Sequence, residues 1–369
     1  MHPTHGGNVY AVARELGCRP EDILDFSASI NPLGPPDGLE RVLQENFARL
    51  QHYPDIHNRQ LIEALARFHD LPEDQVAVGN GSTELIAWLP STLGIRSAAV
   101  VLPTFAEYAK AFASQGVPLR KLHTRAENGF QPLVSELEGA LCGQPPDAVL
   151  VTHPGSPAGT LLSRDVRKWL LEKSKNDGFY LIVDEVFVDF CEGESLKRAA
   201  ADHPRLILIR SMTKFYGIPG LRIGYVLAAP ETTARLRSRV PPWSVNTLAQ
   251  AAACYCLQQD AYRRRTLELV NRERTRLKAA LDAVPGLRAF EGQANYLLVR
   301  MDERLPEASA LQAALLHRHR LLIRDCASFE GLGTRDFRIA VRLPEENNRL
   351  LRAATEWVTN IGPQPQGDG

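Results

Sequence analysis

The sequence of 369 residues is poor in the features that mark several protein classes. It has no charge imbalance. Lys+Arg and Asp+Glu number 43 each, which excludes a global bias toward nucleic acid or an anionic membrane, so any anion site must be local. Its six cysteines, Cys18, Cys142, Cys191, Cys254, Cys256 and Cys326, contain no C-x-x-C pair, and no His/Cys spacing matches a zinc site. No metal is expected. Cysteines scattered through a chain this long point to reduced thiols and a cytoplasmic protein. The longest uncharged apolar run, around 85–95, falls short of the ~20 residues that a membrane helix needs. The opening MHPTHGGNVY lacks the apolar core of a signal peptide. There are no internal repeats, and only 362–369 is low-complexity, an expected frayed tail.

What is present is ordinary in bulk and informative in detail. With 44% hydrophobic and 23% charged residues the chain has the composition of a globular protein, long enough for two domains. The organising stretch is 206–229, LILIRSMTKFYGIPGLRIGYVLAA. A β-branched apolar run gives way to Ser211-Met212-Thr213-Lys214. A Gly/Pro segment, Arg222 and a second apolar run follow. Lys214 is thereby placed at a strand end, with hydroxyls at Ser211 and Thr213 and a cation at Arg222. Burial and neighbouring cations lower a lysine's pKa, and a neutral amine forms Schiff bases. Hydroxyls plus an arginine suit a phosphate dianion. The combination fits an aldehyde cofactor carrying a phosphate, pyridoxal 5'-phosphate (PLP). The alternative is a surface Lys and Arg on an ordinary hairpin.

Along the chain, 1–37 is a Gly/Pro-rich arm. From about 38 to 95 the pattern is helical, broken near Tyr53-Pro54. It contains Gly79-Asn80-Gly81-Ser82-Thr83, a strand–turn–helix start whose backbone N–H groups and hydroxyls can cup an anion. From 97 to 229, apolar strands at 98–102, 119–123, 148–152, 180–183, 206–209 and 224–227 alternate with helices such as 106–114 and 164–176. That alternation predicts a largely parallel sheet covered on both faces, with ligands at the carboxyl ends of its strands. The residues after those strands are Phe105 and Tyr108, which offer aromatic rings, the turn His153-Pro154-Gly155-Ser156-Pro157-Ala158-Gly159, and Asp184. A buried strand-end acid needs a partner, and a pyridinium nitrogen is one. The pattern from about 245 to 281 predicts a long helix bridging two domains. Beyond it, strands at 296–299, 321–324 and 336–341 with helices at 311–319 and 345–359 predict a small α+β domain.

These motifs together resemble the fold-type I PLP enzymes of the aspartate aminotransferase superfamily over nearly the whole chain. Within it the sequence resembles the threonine-phosphate decarboxylases of cobalamin biosynthesis and, more distantly, the histidinol-phosphate aminotransferases. The resemblance rests on HGGN (5–8), DFSASINPLGPP (25–36), GNGSTELI (79–86), VDEVFVDF (183–190) and IRDCASFEGLG (323–333). It implies an α/β fold with a mostly parallel, mixed seven-stranded sheet. The implied divisions are an arm over 1–37, a large PLP-binding domain over 38–270, a small domain over 271–361 and the tail. It implies Lys214 as the Schiff-base lysine and Asp184 as the partner of the pyridine nitrogen. Ser211, Thr213, Arg222 and the turn Gly81-Ser82-Thr83 would bind the cofactor, and Phe105 would stack on its ring. Tyr53 would reach the cofactor phosphate of the partner subunit in a homodimer. Arg338 would take the substrate α-carboxylate, with His5, Asn31 and Arg324 near the substrate and its phosphate.

The chain departs from the superfamily in two places. The usual turn N-P-x-N-P-x-G has Ser156 in place of its second Asn, a shorter donor toward the cofactor's phenolic oxygen. A Tyr that touches the same oxygen in related aminotransferases is matched by Phe187. With both donors weakened, the Lys214 Schiff base is expected to hold its proton to higher pH. The implied reaction is decarboxylation of L-threonine O-3-phosphate to (R)-1-amino-2-propanol O-2-phosphate. Transamination of histidinol phosphate or a similar phosphorylated substrate is the alternative on the same site.

Overall fold

The computed structural model describes residues 6–143 and 145–361. After a two-residue strand β1 (Leu24–Asp25), seven strands form the main sheet. They are β2 (Val76–Gly79), β3 (Ala98–Leu102), β4 (Leu119–His123), β5 (Ala148–Thr152), β6 (Tyr180–Asp184), β7 (Leu206–Ser211) and β8 (Gly224–Ala228). Their spatial order is β2-β8-β7-β6-β5-β3-β4. The pairs among β3 to β7 are parallel, whereas β8 runs antiparallel to both β7 and β2.

The apolar runs read in the sequence divide between the two faces by strand alternation. Val101, Val149, Val183 and Leu208 pack into one buried cluster, and Val100, Leu150, Ile182 and Ile207 pack into another on the opposite face. A strand apolar at every position is stable only where helices cover both sides, which is the arrangement found. Truncating one such side chain, Leu208→Ala, removes a fully buried residue and would cost about 2–5 kcal/mol.

The second sheet takes β9 (Leu287–Ala289), β10 (Tyr296–Met301), β12 (Arg324–Asp325) and β13 (Asp336–Ala340), all antiparallel, in the order β12-β13-β10-β9. Strand β11 (Leu321–Leu322) pairs instead with β1, parallel, so the N-terminal segment is stitched beside this sheet. The single strand expected over 321–324 is therefore two short ones. Ile323 lies between them, buried in the cluster that also holds Phe26, Leu297 and Val299.

The helix expected over 245–281 is also two, Thr247–Cys256 and Asp260–Asp282, interrupted at 257–259. The chain closes the first helix with i→i−3 bonds from Gln258 to Tyr255 and from Gln259 to Cys256. The 23-residue second helix buries Tyr262 and Val270 in the large-sheet cluster, and Leu277 and Leu281 in the small-sheet cluster. It therefore spans both cores. No helix among the described residues is long and apolar enough to cross a membrane.

Candidate active site

A cavity of about 430 Å³ opens where the carboxyl ends of the parallel strands meet the small sheet and the N-terminal segment. Asp184 is the last residue of β6, and Ser211 is the last of β7. A one-turn helix, Met212–Phe215, then carries Lys214, and Ser211 caps it by accepting a hydrogen bond from the Thr213 amide. The hydroxyls of Ser211 and Thr213 lie 2.8 Å apart, and Lys214 Nζ donates to Thr213 Oγ1 at 3.3 Å.

The strand ends are pinned from behind. Strand alternation turns the neighbours of Asp184 and Ser211 away from the cavity. There Arg210 and Glu185, both fully buried, pair at 2.9 Å, and Arg210 also reaches Glu192 at 2.6 Å. Removing one member of such a buried pair costs about 3–5 kcal/mol, because the other charge is stranded.

Opposite Lys214, the helix Ser82–Leu93 begins at Gly81. Gly81 has φ +76°, and a Cβ there would overlap the Arg222 guanidinium. Only glycine lets the helix start lie against that cation. Ser82, Thr83, Ser211, Thr213 and Arg222 all line the cavity, so hydroxyls, helix-start amides and a guanidinium share one corner.

Two titrations are moved by these surroundings. Burial, aided by Arg222 and Arg338, pulls the Lys214 amine down to about 8. Burial pushes the Asp184 carboxyl up to about 6, against the opposing pull of the Val186 amide, Tyr108 and Lys214. Tyr108, itself buried, faces Asp184 outside regular hydrogen-bond geometry. A phosphorylated aldehyde of the PLP type fits this wall on three counts. There is an amine that deprotonates readily and a corner of donors for a phosphate. There is also a buried strand-end carboxyl with which a ring-nitrogen cation would pair.

The facing wall comes from the small sheet and the N-terminal segment. Arg324 on β12 and Arg338 on β13 are direct cross-strand partners, and both line the cavity. Arg338 donates to the Ser27 carbonyl at 3.3 Å and to Ser156 Oγ at 3.4 Å, and its guanidinium lies over the Tyr296 ring at 4.9 Å. Arg324 donates to Ser328 Oγ at 2.8 Å. Like charges directly opposite on neighbouring strands repel, and an anion between them relieves the repulsion.

Most residues singled out in the sequence converge here. Ser82, Thr83, Phe105, Ser156, Asp184, Ser211, Thr213, Lys214, Arg222, Arg324 and Arg338 all line the cavity, and Gly81 abuts it through Arg222. Three do not. Asn31 is buried with its amide nitrogen against the Phe215 carbonyl, Tyr262 and Thr266, so its side chain braces the segment after Lys214 rather than facing the cavity. Tyr53 is 78% exposed and stacks on Trp243 with ring centroids 4.4 Å apart, outside the cavity of its own chain. His5 lies outside the described residues. Sequence reasoning passed over Ser27, Ser29 and Ser328, which also line the cavity. The serines stand inside quoted motifs, but only the tertiary structure shows which of them face inward.

Comparison with known proteins agrees with this geometry. The profile of the family "Aminotransferase class I and II" matches residues 21–354. A threonine-phosphate decarboxylase of Salmonella typhimurium is 39% identical over 98% of this chain and 99% of its own. Among solved structures, the L-threonine-O-3-phosphate decarboxylase of Porphyromonas gingivalis aligns with a TM-score of 0.78 at 26% identity, covering 90% of this chain and 98% of that one. The histidinol-phosphate aminotransferase of Clostridium acetobutylicum aligns with a TM-score of 0.84 at 27% identity, covering 92% and 100%. The chain belongs to the aminotransferase class I and II family, in its threonine-phosphate decarboxylase branch.

Proposed function

We propose that the protein decarboxylates L-threonine O-3-phosphate to (R)-1-amino-2-propanol O-2-phosphate, the linker precursor of cobalamin, with PLP as cofactor. The observation that carries the substrate reading is the cross-strand pair Arg324 and Arg338 on the wall facing Lys214. Two guanidinium groups one strand apart suit a small substrate bearing a carboxylate and a phosphate on neighbouring atoms.

When bound, PLP supplies the electron sink that accepts the electron pair left at the substrate carbon as CO2 departs. The chain's own residues do the rest. Lys214 provides the amine for covalent attachment. With its pKa near 8, about half the amines are neutral at pH 8 even before the cofactor binds. Asp184 would hold a proton on the ring nitrogen. Ser82, Thr83, Ser211 and Arg222 would hold the cofactor phosphate, Thr213 would steady Lys214, and Phe105 would lie against the ring. Arg338, braced by Ser27, Ser156 and Tyr296, would hold the substrate carboxylate so that the bond to it stands perpendicular to the ring plane, the direction in which it breaks. Arg324 and Ser328 would take the substrate phosphate. Lys214 would return a proton to the substrate carbon.

The proposed assembly is a homodimer in which Tyr53 reaches the partner's site. Its exposed stack with Trp243 supports that reading, since large apolar side chains left open in this way mark an interaction surface, and Phe47 and Ile56 are exposed as well. The proposed location is the cytoplasm. The proposed division is an arm over 1–37, a large domain over 38–270 and a small domain over 271–361.

The test is direct. Cofactor-loaded protein given threonine phosphate without any oxo acid should release CO2 in proportion to amine product. Product that forms only when an oxo acid is supplied would make the protein an aminotransferase and overturn the reading.

A further inference from the structure

Behind Arg338 stands a tyrosine that is not itself part of the cavity lining. Tyr296 is the first residue of β10 and is fully buried. Its strand pairs with β13 so that Tyr296 lies opposite Ala340 and Leu298 opposite Arg338. Alternation makes Tyr296 the diagonal neighbour of Arg338 on one face of the small sheet. The guanidinium lies over the ring at 4.9 Å from its centroid. Such a contact gains strength away from water.

The other end of the same side chain reaches the large sheet. The Tyr296 hydroxyl donates to the Gly155 carbonyl at 2.7 Å, in the turn that follows β5. That turn meets the small sheet again close by. The Gln293 amide donates to the Gly159 carbonyl at 2.7 Å, and a Cβ on Gly159 or on Gly292 would crowd the other's Cα. Phe187, which follows β6 and lines the cavity, meets the Tyr296 ring edge-on with centroids 4.9 Å apart. The ring is thus held from both sheets.

The remaining contacts of Arg338 steer it weakly. Its bonds to the Ser27 carbonyl and Ser156 Oγ, at 3.3 and 3.4 Å, are long for N–H donors, and Nε has no partner among the described residues. The firmest support of the guanidinium is the ring beneath it. Small errors in such a support are costly, because a slightly misplaced substrate presents a different bond for cleavage.

We propose that Tyr296 is a positioning residue that decides which substrate bond breaks. It fixes Arg338 to the large-sheet turn, and so keeps the carboxylate bond, rather than the Cα–H bond, perpendicular to the cofactor ring. This rests on the reaction proposed above. When the carboxylate bond breaks, CO2 leaves without its bonding electron pair, and a proton takes its place on the carbon. When the Cα–H bond breaks instead, the proton passes to solvent and a solvent proton returns, so that threonine phosphate is regenerated.

The experiment runs cofactor-loaded wild type, Tyr296→Leu and Tyr296→Phe in deuterated water. It measures deuterium at Cα of recovered threonine phosphate against CO2 released. The leucine variant loses ring and tether, and the ratio should rise roughly tenfold or more. The phenylalanine variant loses only the tether, folds with its ring in place, and should raise the ratio about threefold. A merely structural role would slow both processes together, so an unchanged ratio in either variant overturns the proposal. Equilibrium binding supplies a second readout, with two ligands that have no amine to react: phosphonooxybutanoate, which keeps the carboxylate and phosphate of the substrate, and isopropyl phosphate, which keeps the phosphate alone. Affinity of the leucine variant for the first should fall roughly three- to tenfold and for the second should hold. Equal loss for both also overturns the proposal. Wild type that releases no CO2 would sink the reaction reading, and the ligand pair alone would then judge whether Tyr296 sets Arg338.

Discussion

The two walls of the cavity are built on opposite principles. The strand-end wall is tied together by its own side chains, though behind it the Tyr108 hydroxyl and Arg210 Nε have no hydrogen-bond partner among the described residues. Ser211, Thr213 and Lys214 form a chain of contacts, and Glu185 and Arg210 lock the strand ends from behind. The small-sheet wall is internally unfinished. It sets two arginines opposite each other and leaves Ser29 Oγ and Arg338 Nε without partners among the described residues. A wall tied by its own contacts is preorganised for a resident group. One that carries repulsion and open donors is made for a ligand that comes and goes, because binding energy is then released on each arrival.

Three substitutions would break or sharpen that contrast. The largest effect belongs to Lys214→Ala on the strand-end wall. It should abolish the borohydride-reducible adduct at position 214 and lower turnover by at least about a thousandfold, since the proposed attachment amine is lost. An adduct that persists at full yield, located by peptide mapping, would contradict the site.

Asp184→Asn should show the next effect, read as stability of the cofactor-free protein against pH. The carboxyl of Asp184 is raised from 3.8 to about 6 in the folded state. A group raised on folding gives its full stability below the unfolded pKa and loses it as pH rises through the folded one. Cofactor-free wild type should therefore lose roughly 2–3 kcal/mol between pH 4 and pH 7 that the Asn variant keeps. Chemical denaturation of both proteins across that range checks it, and parallel curves would mean that Asp184 is already neutralised by a neighbour.

The smallest effect is expected from Arg324→Gln on the unfinished wall. Relief of repulsion should hold or raise the ligand-free melting temperature by a few degrees while affinity for threonine phosphate falls. A variant that melts well below wild type would show that Arg324 serves the fold, and the contrast between the walls would fail.

Legibility in the sequence followed the range of the interaction. Strands β3 and β5 were read at their observed bounds, because continuous apolar runs bounded by turns encode a doubly covered strand locally; the edge strand β4, LRKLH, was also read at its bounds but has no buried residue. The long helix was misread over 257–259, where no Gly or Pro marks the break and the chain ends one helix by local i→i−3 bonds. Asn31 stood in a specific motif, yet its amide is spent on Phe215, Tyr262 and Thr266, residues more than 180 positions away. No local pattern encodes such a partner.

By itself the sequence determined the chemistry on offer: an amine beside hydroxyls and a cation, a strand-end acid, a glycine before a helix start, and sheet-forming runs that put them on one rim. Side-chain period and composition are properties of neighbouring residues and survive without the fold. The tertiary structure alone decided which groups face one another. Arg324 and Arg338 are opposed only because β12 pairs antiparallel with β13 in that register, and the 27–30 segment lines the cavity only because it packs against the same rim. Register and closure are set by contacts distant in the chain, and these exist only once the two sheets and the N-terminal segment have packed.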